Sequence, residues 1–256
     1  MLWFSDMLGE AVHTVDLSGT TTTLPTPGHC PSGLGFRPDG TLLIVSTKAR
    51  QVLRYDGESV ELLADLSELV PADLGDMVID ASGRAYVGSQ ERLDGVIVLI
   101  DTDDSVRLVA EALDFPNGMA ITPDGARLIV AESTGRRLSS FTITADGSLH
   151  DRRVVIEGLD GPPDGIAIDV QGGVWAALTL AHQFARIAGG VVTDRVEVGD
   201  RMAIACALGG VEGRTLFLVT THDCYPDRMA GTALSTVEAL MVDVPAPGEF
   251  DHHHHH

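Results

Sequence analysis

A glycine closing a turn just ahead of a short apolar strand recurs at Gly40, Gly83, Gly125, Gly172 and Gly213, at spacings of 41 to 47 residues. Arg37-Pro-Asp-Gly40 precedes Leu42-Leu-Ile-Val45, and Asp80-Ala-Ser-Gly83 precedes Ala85-Tyr-Val87. Thr122-Pro-Asp-Gly125 precedes Leu128-Ile-Val130, and Asp169-Val-Gln-Gly172 precedes Val174-Trp-Ala176. Gly213 stands ahead of Leu216-Phe-Leu-Val219. A period of about 40–50 residues made of short strands marks a β-propeller with about four strands per blade. Helical periodicity is scarce, and only Asp65 to Val70 reads as a helical turn.

The blades can be read strand by strand. One unit runs Leu34–Phe36, Leu42–Ser46, Gln51–Tyr55 and Val60–Ala64, and the next runs Met77–Ile79, Ala85–Gly88, Val96–Ile100 and Val106–Ala110. Further units begin at Met119 and Ile166. Each end gives only three strands: Leu2–Ser5, Val12–Asp16 and Thr21–Leu24 at the front, Ile204–Leu208, Leu216–Thr220 and Val237–Val244 at the back. The expectation is a six-bladed, all-β propeller lacking the usual N-terminal strands. Of these, one would close the last blade and the other would be the innermost strand of the first. An open strand edge at that gap predicts self-association or marginal stability. No linker divides the chain, so residues 1–248 form a single domain, and Glu249 to His256 reads as the remnant of an appended tag.

Charge narrows the function classes. With 17 Lys+Arg against 37 Asp+Glu and a net charge of −20, the surface repels nucleic acid and anionic membranes. No apolar run approaches the roughly 20 residues that span a bilayer. Cys30, Cys206 and Cys224 are odd in number and lack CxxC spacing, which predicts free thiols in a cytoplasmic protein.

Two stretches stand apart from the ordinary turns: Phe115-Pro-Asn-Gly118 and Pro162-Pro-Asp-Gly165. Each sets a polar residue between a Pro, which fixes φ, and a Gly, which permits close backbone approach. Asn-Gly and Asp-Gly are also the commonest turn dipeptides, as at Asp39-Gly40 and Asp124-Gly125. Asn117 and Asp164 differ in preceding the inner strand of a blade, where the turn pairs follow it. Their oxygens suit a hard cation, which would polarise a carbonyl. Ser32, Asp76 and Ala203 to Cys206 share that position, and Asp164 or Asp76 is the candidate general base. His29 reads as a hydrogen-bonded structural histidine, and His222-Asp223-Cys224 lacks partners at zinc spacing.

Met1–Gly248 resembles the SMP-30/gluconolactonase/LRE-like family of six-bladed propellers. The resemblance rests on Leu2-Trp-Phe-Ser-Asp6, Pro31-Ser-Gly33 with Pro38-Asp-Gly40, Asp76-Met-Val-Ile-Asp80, Phe115-Pro-Asn-Gly118, Pro163-Asp-Gly165 and Gly173-Val-Trp175. It implies one divalent cation (Ca²⁺, Mg²⁺, Mn²⁺ or Zn²⁺, with Ca²⁺ favoured) held by Asn117, Asp164 and a Glu, with Asp164 as general base. The family's Glu lies ahead of the Leu-Trp-Phe segment, before this sequence starts. Where sugar-lactone members carry Arg-x-Asn-Asp, this chain has Asp73-Leu-Gly75-Asp76. Asp73, Gly75 and Asp76 are thus the expected substrate-binding positions, for a less polar or different lactone or ester. The implied activity is metal-dependent hydrolysis of that small molecule. The alternative is a non-catalytic propeller binding a small molecule or cation, or an inactive, N-terminally truncated enzyme.

Overall fold

The computed structural model of the protein describes residues 1–222 and 235–248. They fold into six antiparallel sheets arranged as the blades of a ring, a six-bladed β-propeller. Blades two to five have four strands each, and the first and last have three among the described residues. The inner strands Pro31–Phe36, Leu74–Ile79, Pro116–Ile121, Pro163–Ile168 and Met202–Gly209 lie side by side. Leu2–Asp6 of the first blade packs against Pro31–Phe36. Among the described residues no helix is long and apolar enough to cross a membrane.

The core lies between blades. Leu43, Val45 and Val52 of blade two meet Leu74, Val87 and Val98 of blade three, and the same sandwiching recurs around the ring. Each middle strand is buried on both faces, which explains why Leu42–Ser46, Ala85–Ser89 and Val174–Leu178 read as continuous apolar runs. The turn aspartates explain part of the acidic excess. Asp39, Asp80, Asp124 and Asp169 each accept backbone N–H groups two residues on, closing the turns at Gly40, Gly83, Gly125 and Gly172, whose φ values are +88°, +98°, +72° and +81°.

The inner strands begin earlier than the sequence reading has them, at Pro31, Leu74, Pro116 and Pro163 in place of Leu34, Met77, Met119 and Ile166. The cause is a β-bulge at the same place in each of blades two to five. Pro31 pairs with Ser46 and Leu34 with Ile44, so Ser32 and Gly33 together oppose one residue, Val45. Likewise Gly75 and Asp76 oppose Gly88, Asn117 and Gly118 oppose Ala131, and Asp164 and Gly165 oppose Ala177. A bulge breaks the alternation of side chains and re-aims one of them, so a period-two reading stops short of it.

Glycine at the bulge has a steric cause. A Cβ on Gly33 would lie 2.7 Å from the Met77 backbone N, and one on Gly118 would lie 2.5 Å from the Asp164 backbone O. A Cβ on Gly165 would lie 2.8 Å from the Ala205 Cα. All of these clashes are with the next inner strand, which cannot yield without opening the ring. Gly118→Ala and Gly165→Ala are each expected to cost about 1–3 kcal/mol by overpacking, read as a loss of several degrees in Tm. Unchanged melting of both variants would contradict this packing account.

Candidate active site

The bulges deliver polar side chains to the axis from blades far apart in sequence. Counted back from the turn glycine of each blade, Ser32, Gly75, Asn117 and Asp164 are equivalent positions, eight residues before Gly40, Gly83, Gly125 and Gly172. Asn117 and Asp164 are in contact, since the Asn117 amide hydrogen-bonds the Asp164 carboxylate. Neither Gly118 nor Gly165 has the positive φ of a turn glycine, so Asn117-Gly118 and Asp164-Gly165 are bulged strand, not turns.

A second set of side chains, missed in the sequence, steadies the first. The residue just after each second strand sends its N–H to the inner strand of its own blade. Thr47 N bonds Cys30 O at 2.9 Å, Ser133 N bonds Phe115 O at 3.0 Å, and Thr179 N bonds Pro162 O at 3.1 Å. The hydroxyls of these residues then reach the bulge. Thr47 Oγ1 donates to Ser32 Oγ at 2.8 Å, and Asn117 Nδ2 donates to Ser133 Oγ at 3.2 Å. Thr179 hydrogen-bonds the Asp164 carboxylate. Ser133 Oγ also donates to Pro163 O at 2.6 Å, tying the Asn117 blade to the Asp164 blade. The available sequence signal was a polar residue closing each apolar second strand.

Elsewhere in the molecule, buried carboxylates have cations beside them. Glu132, fully buried, accepts from Arg137 Nε at 2.7 Å and Arg152 Nη2 at 2.7 Å, and is held down at about 2 despite burial. Asp169 is paired with Arg186 at 2.8 Å. Asp76 and Asp164 differ. Both are half-buried, no Lys or Arg among the described residues pairs with either, and Asp76 Oδ1 accepts the adjacent Met77 N–H, at 2.8 Å. Burial raises Asp76 to about 6, against that single hydrogen bond. Asp164 rises to about 7, chiefly through burial and then through the nearby Asp76 charge, against hydrogen bonds from Thr179, Asn117 and the Gly165 N–H. Cys206 shares the environment: burial and both carboxylates push its thiol far up, and Sγ lies 3.4 Å from Trp175 O.

The other expected residues separate. Asp73 is half exposed and sits 3.9 Å from Arg50 Nε, away from the carboxylate pair. Gly75 is buried beneath the Gln90 side chain. His29 Nδ1 lies 2.8 Å from Ser46 Oγ, a hydrogen-bonded structural histidine. Asp223 and Cys224 fall outside the described residues. Among the described residues no three His, Cys, Asp or Glu side chains gather as a metal cluster.

Two neighbouring buried carboxylates without a cation destabilise the fold. Their folded pKa values lie above the ordinary 3.8, so the native state holds protons more tightly than the unfolded chain, and stability falls as pH rises through about 4 to 7. In chelator, Asp164→Asn should therefore raise Tm at about pH 8 and change it little at about pH 5. A Tm difference independent of pH would show that folding does not raise the Asp164 pKa.

Comparison with known proteins agrees with the propeller fold. Residues 1–222 match the SMP-30/Gluconolactonase/LRE-like region. A 6-deoxy-6-sulfogluconolactonase of Pseudomonas putida is 26% identical over 97% of this chain and 89% of its own length. A pentonolactonase of Haloferax volcanii is likewise 26% identical, over 96% and 88%. The crystal structure of a calcium-binding protein, regucalcin, from Agrobacterium tumefaciens superposes with a TM-score of 0.79 at 21% identity, covering 97% of this chain and 88% of that one. The chain belongs to the SMP-30/gluconolactonase/LRE-like family.

Proposed function

We propose that the protein is a divalent-cation-dependent hydrolase of a lactone or related ester, with Asp164 as general base. The observation that carries this reading is the Asp76–Asp164 pair, half-buried beside Asn117 with no arginine or lysine among the described residues to balance it. Two carboxylates and an amide oxygen form an all-oxygen donor set, which fits a hard divalent cation. Asn117 and Asp164 would hold the ion, with Asp76 adjacent, and the bound ion would neutralise the pair and polarise a carbonyl oxygen. Ca²⁺ is the ion we favour, in keeping with the calcium-binding regucalcin of like fold. The two relatives named as lactonases, matched over nearly the whole chain, favour the lactone.

The chain's own groups carry the proton. Asp164 accepts a proton from the attacking water as its oxygen bonds to the carbonyl carbon. The same carboxylic acid returns that proton to the ring oxygen as the C–O bond breaks. Thr179 and Asn117 orient the carboxylate through their hydrogen bonds. Ser133 fixes the Asn117 amide. Free Cys30 and Cys206 suit a reducing, cytoplasmic setting. The departures at Asp73 and Gly75 favour a second reading, a binding propeller without turnover.

A lactone panel decides between the two. EDTA-stripped protein should be inactive, added cation should restore hydrolysis, and Asp164→Asn should lower turnover by about 100-fold or more. Undiminished hydrolysis by Asp164→Asn would overturn the assignment of the base.

A further inference from the structure

We infer that Gln90 is a substrate-contacting residue of this site, its carboxamide standing in for a side chain that Gly75 lacks and recognising a hydroxyl of a polyhydroxylated lactone. The inference rests on the lactone-site reading above, and it begins with the register of the blades. Gln90 follows the second strand of blade three as Thr47, Ser133 and Thr179 follow those of blades two, four and five. Its N–H makes the equivalent bond, to Asp73 O at 2.8 Å. In the other three blades this position carries a short hydroxyl that holds the polar residue of the bulge. In blade three the bulge has Gly75 where the others have Ser32, Asn117 and Asp164, so there is nothing to hold.

The longer side chain takes the vacated place. A Cβ on Gly75 would fall 2.2 Å from Gln90 Nε2 and 2.4 Å from Gln90 Cδ. The carboxamide thus lies where a side chain at residue 75 would begin, on the strand that carries Asp76. Ser32 Oγ is close by, donating to Gly75 O at 2.7 Å. Among the described residues no hydrogen bond engages the Gln90 carboxamide. It is half-buried, and a half-buried amide with free donors and a free acceptor favours a ligand atom that can both give and take a hydrogen bond. A hydroxyl does so, whereas the lactone carbonyl and ring oxygen only accept. The site is accordingly more polar than Gly75 and Asp73 alone suggest.

Gln90→Met keeps the bulk over Gly75 and removes the hydrogen-bonding atoms, which separates recognition from packing. Binding is measured by calorimetry with two lactams, which resist hydrolysis: gluconolactam and unsubstituted 2-piperidone, each with Ca²⁺ present. The expected result is a loss of about 3- to 10-fold in gluconolactam affinity for Gln90→Met, with 2-piperidone affinity unchanged. Equal effects on both lactams, no effect on either, or no binding of gluconolactam to the wild type would each overturn the inference. Turnover of the matching lactones is read in parallel. Gln90-dependent lactam binding without any hydrolysis would uphold the contact while refuting the hydrolase.

Discussion

In three of the four bulges, neighbouring inner strands approach so closely that one residue has room for only a hydrogen atom. Gly33, Gly118 and Gly165 all face backbone of the next blade at distances no Cβ tolerates. This constraint fixes which residue of the bulged pair carries a side chain in blades two, four and five. It therefore places Ser32, Asn117 and Asp164 at one level around the axis. The hydroxyls of Thr47, Ser133 and Thr179 then lock those side chains in orientation. Precision at the centre follows from backbone packing and is only refined by hydrogen bonds.

Blade three shows what happens when the pattern is inverted. Asp76 occupies the position where its counterparts are Gly33, Gly118 and Gly165, and Gly75 occupies the polar one. Asp76 consequently enters the site from the other half of the bulge, close enough to raise Asp164. The two charges are costly together, unlike Glu132 or Asp169, which arginines neutralise. An arrangement that weakens the fold at neutral pH and surrounds itself with oxygen donors is what a cation-binding site requires.

Much of this was legible in the sequence, and the reasons differ by element. Gly40, Gly83, Gly125 and Gly172 announce the blades because their positive φ demands glycine. The middle strands announce themselves through continuous burial. Asn117 and Asp164 could be separated from ordinary turn pairs by standing at the head of the inner strand, where the turn pairs follow it. The Asp73 carboxylate lies 3.9 Å from Arg50 Nε, a pairing across blades that its nearness in sequence to Asp76 does not reveal. Ser133, Thr179 and Gln90 were not legible one blade at a time. Their role depends on which residue of a neighbouring strand lies opposite, and that register is disguised by the extra residue in every inner strand.

We propose that Asn117 and Asp164 share one cation beside Asp76. A crystal of the protein soaked in Mn²⁺, with data collected at the manganese edge, tests it most directly. The account predicts one anomalous peak on the channel axis, about 2.0–2.6 Å from oxygens of Asn117 and Asp164. An ordered site with no peak there, or a peak confined to the surface aspartates, would contradict it.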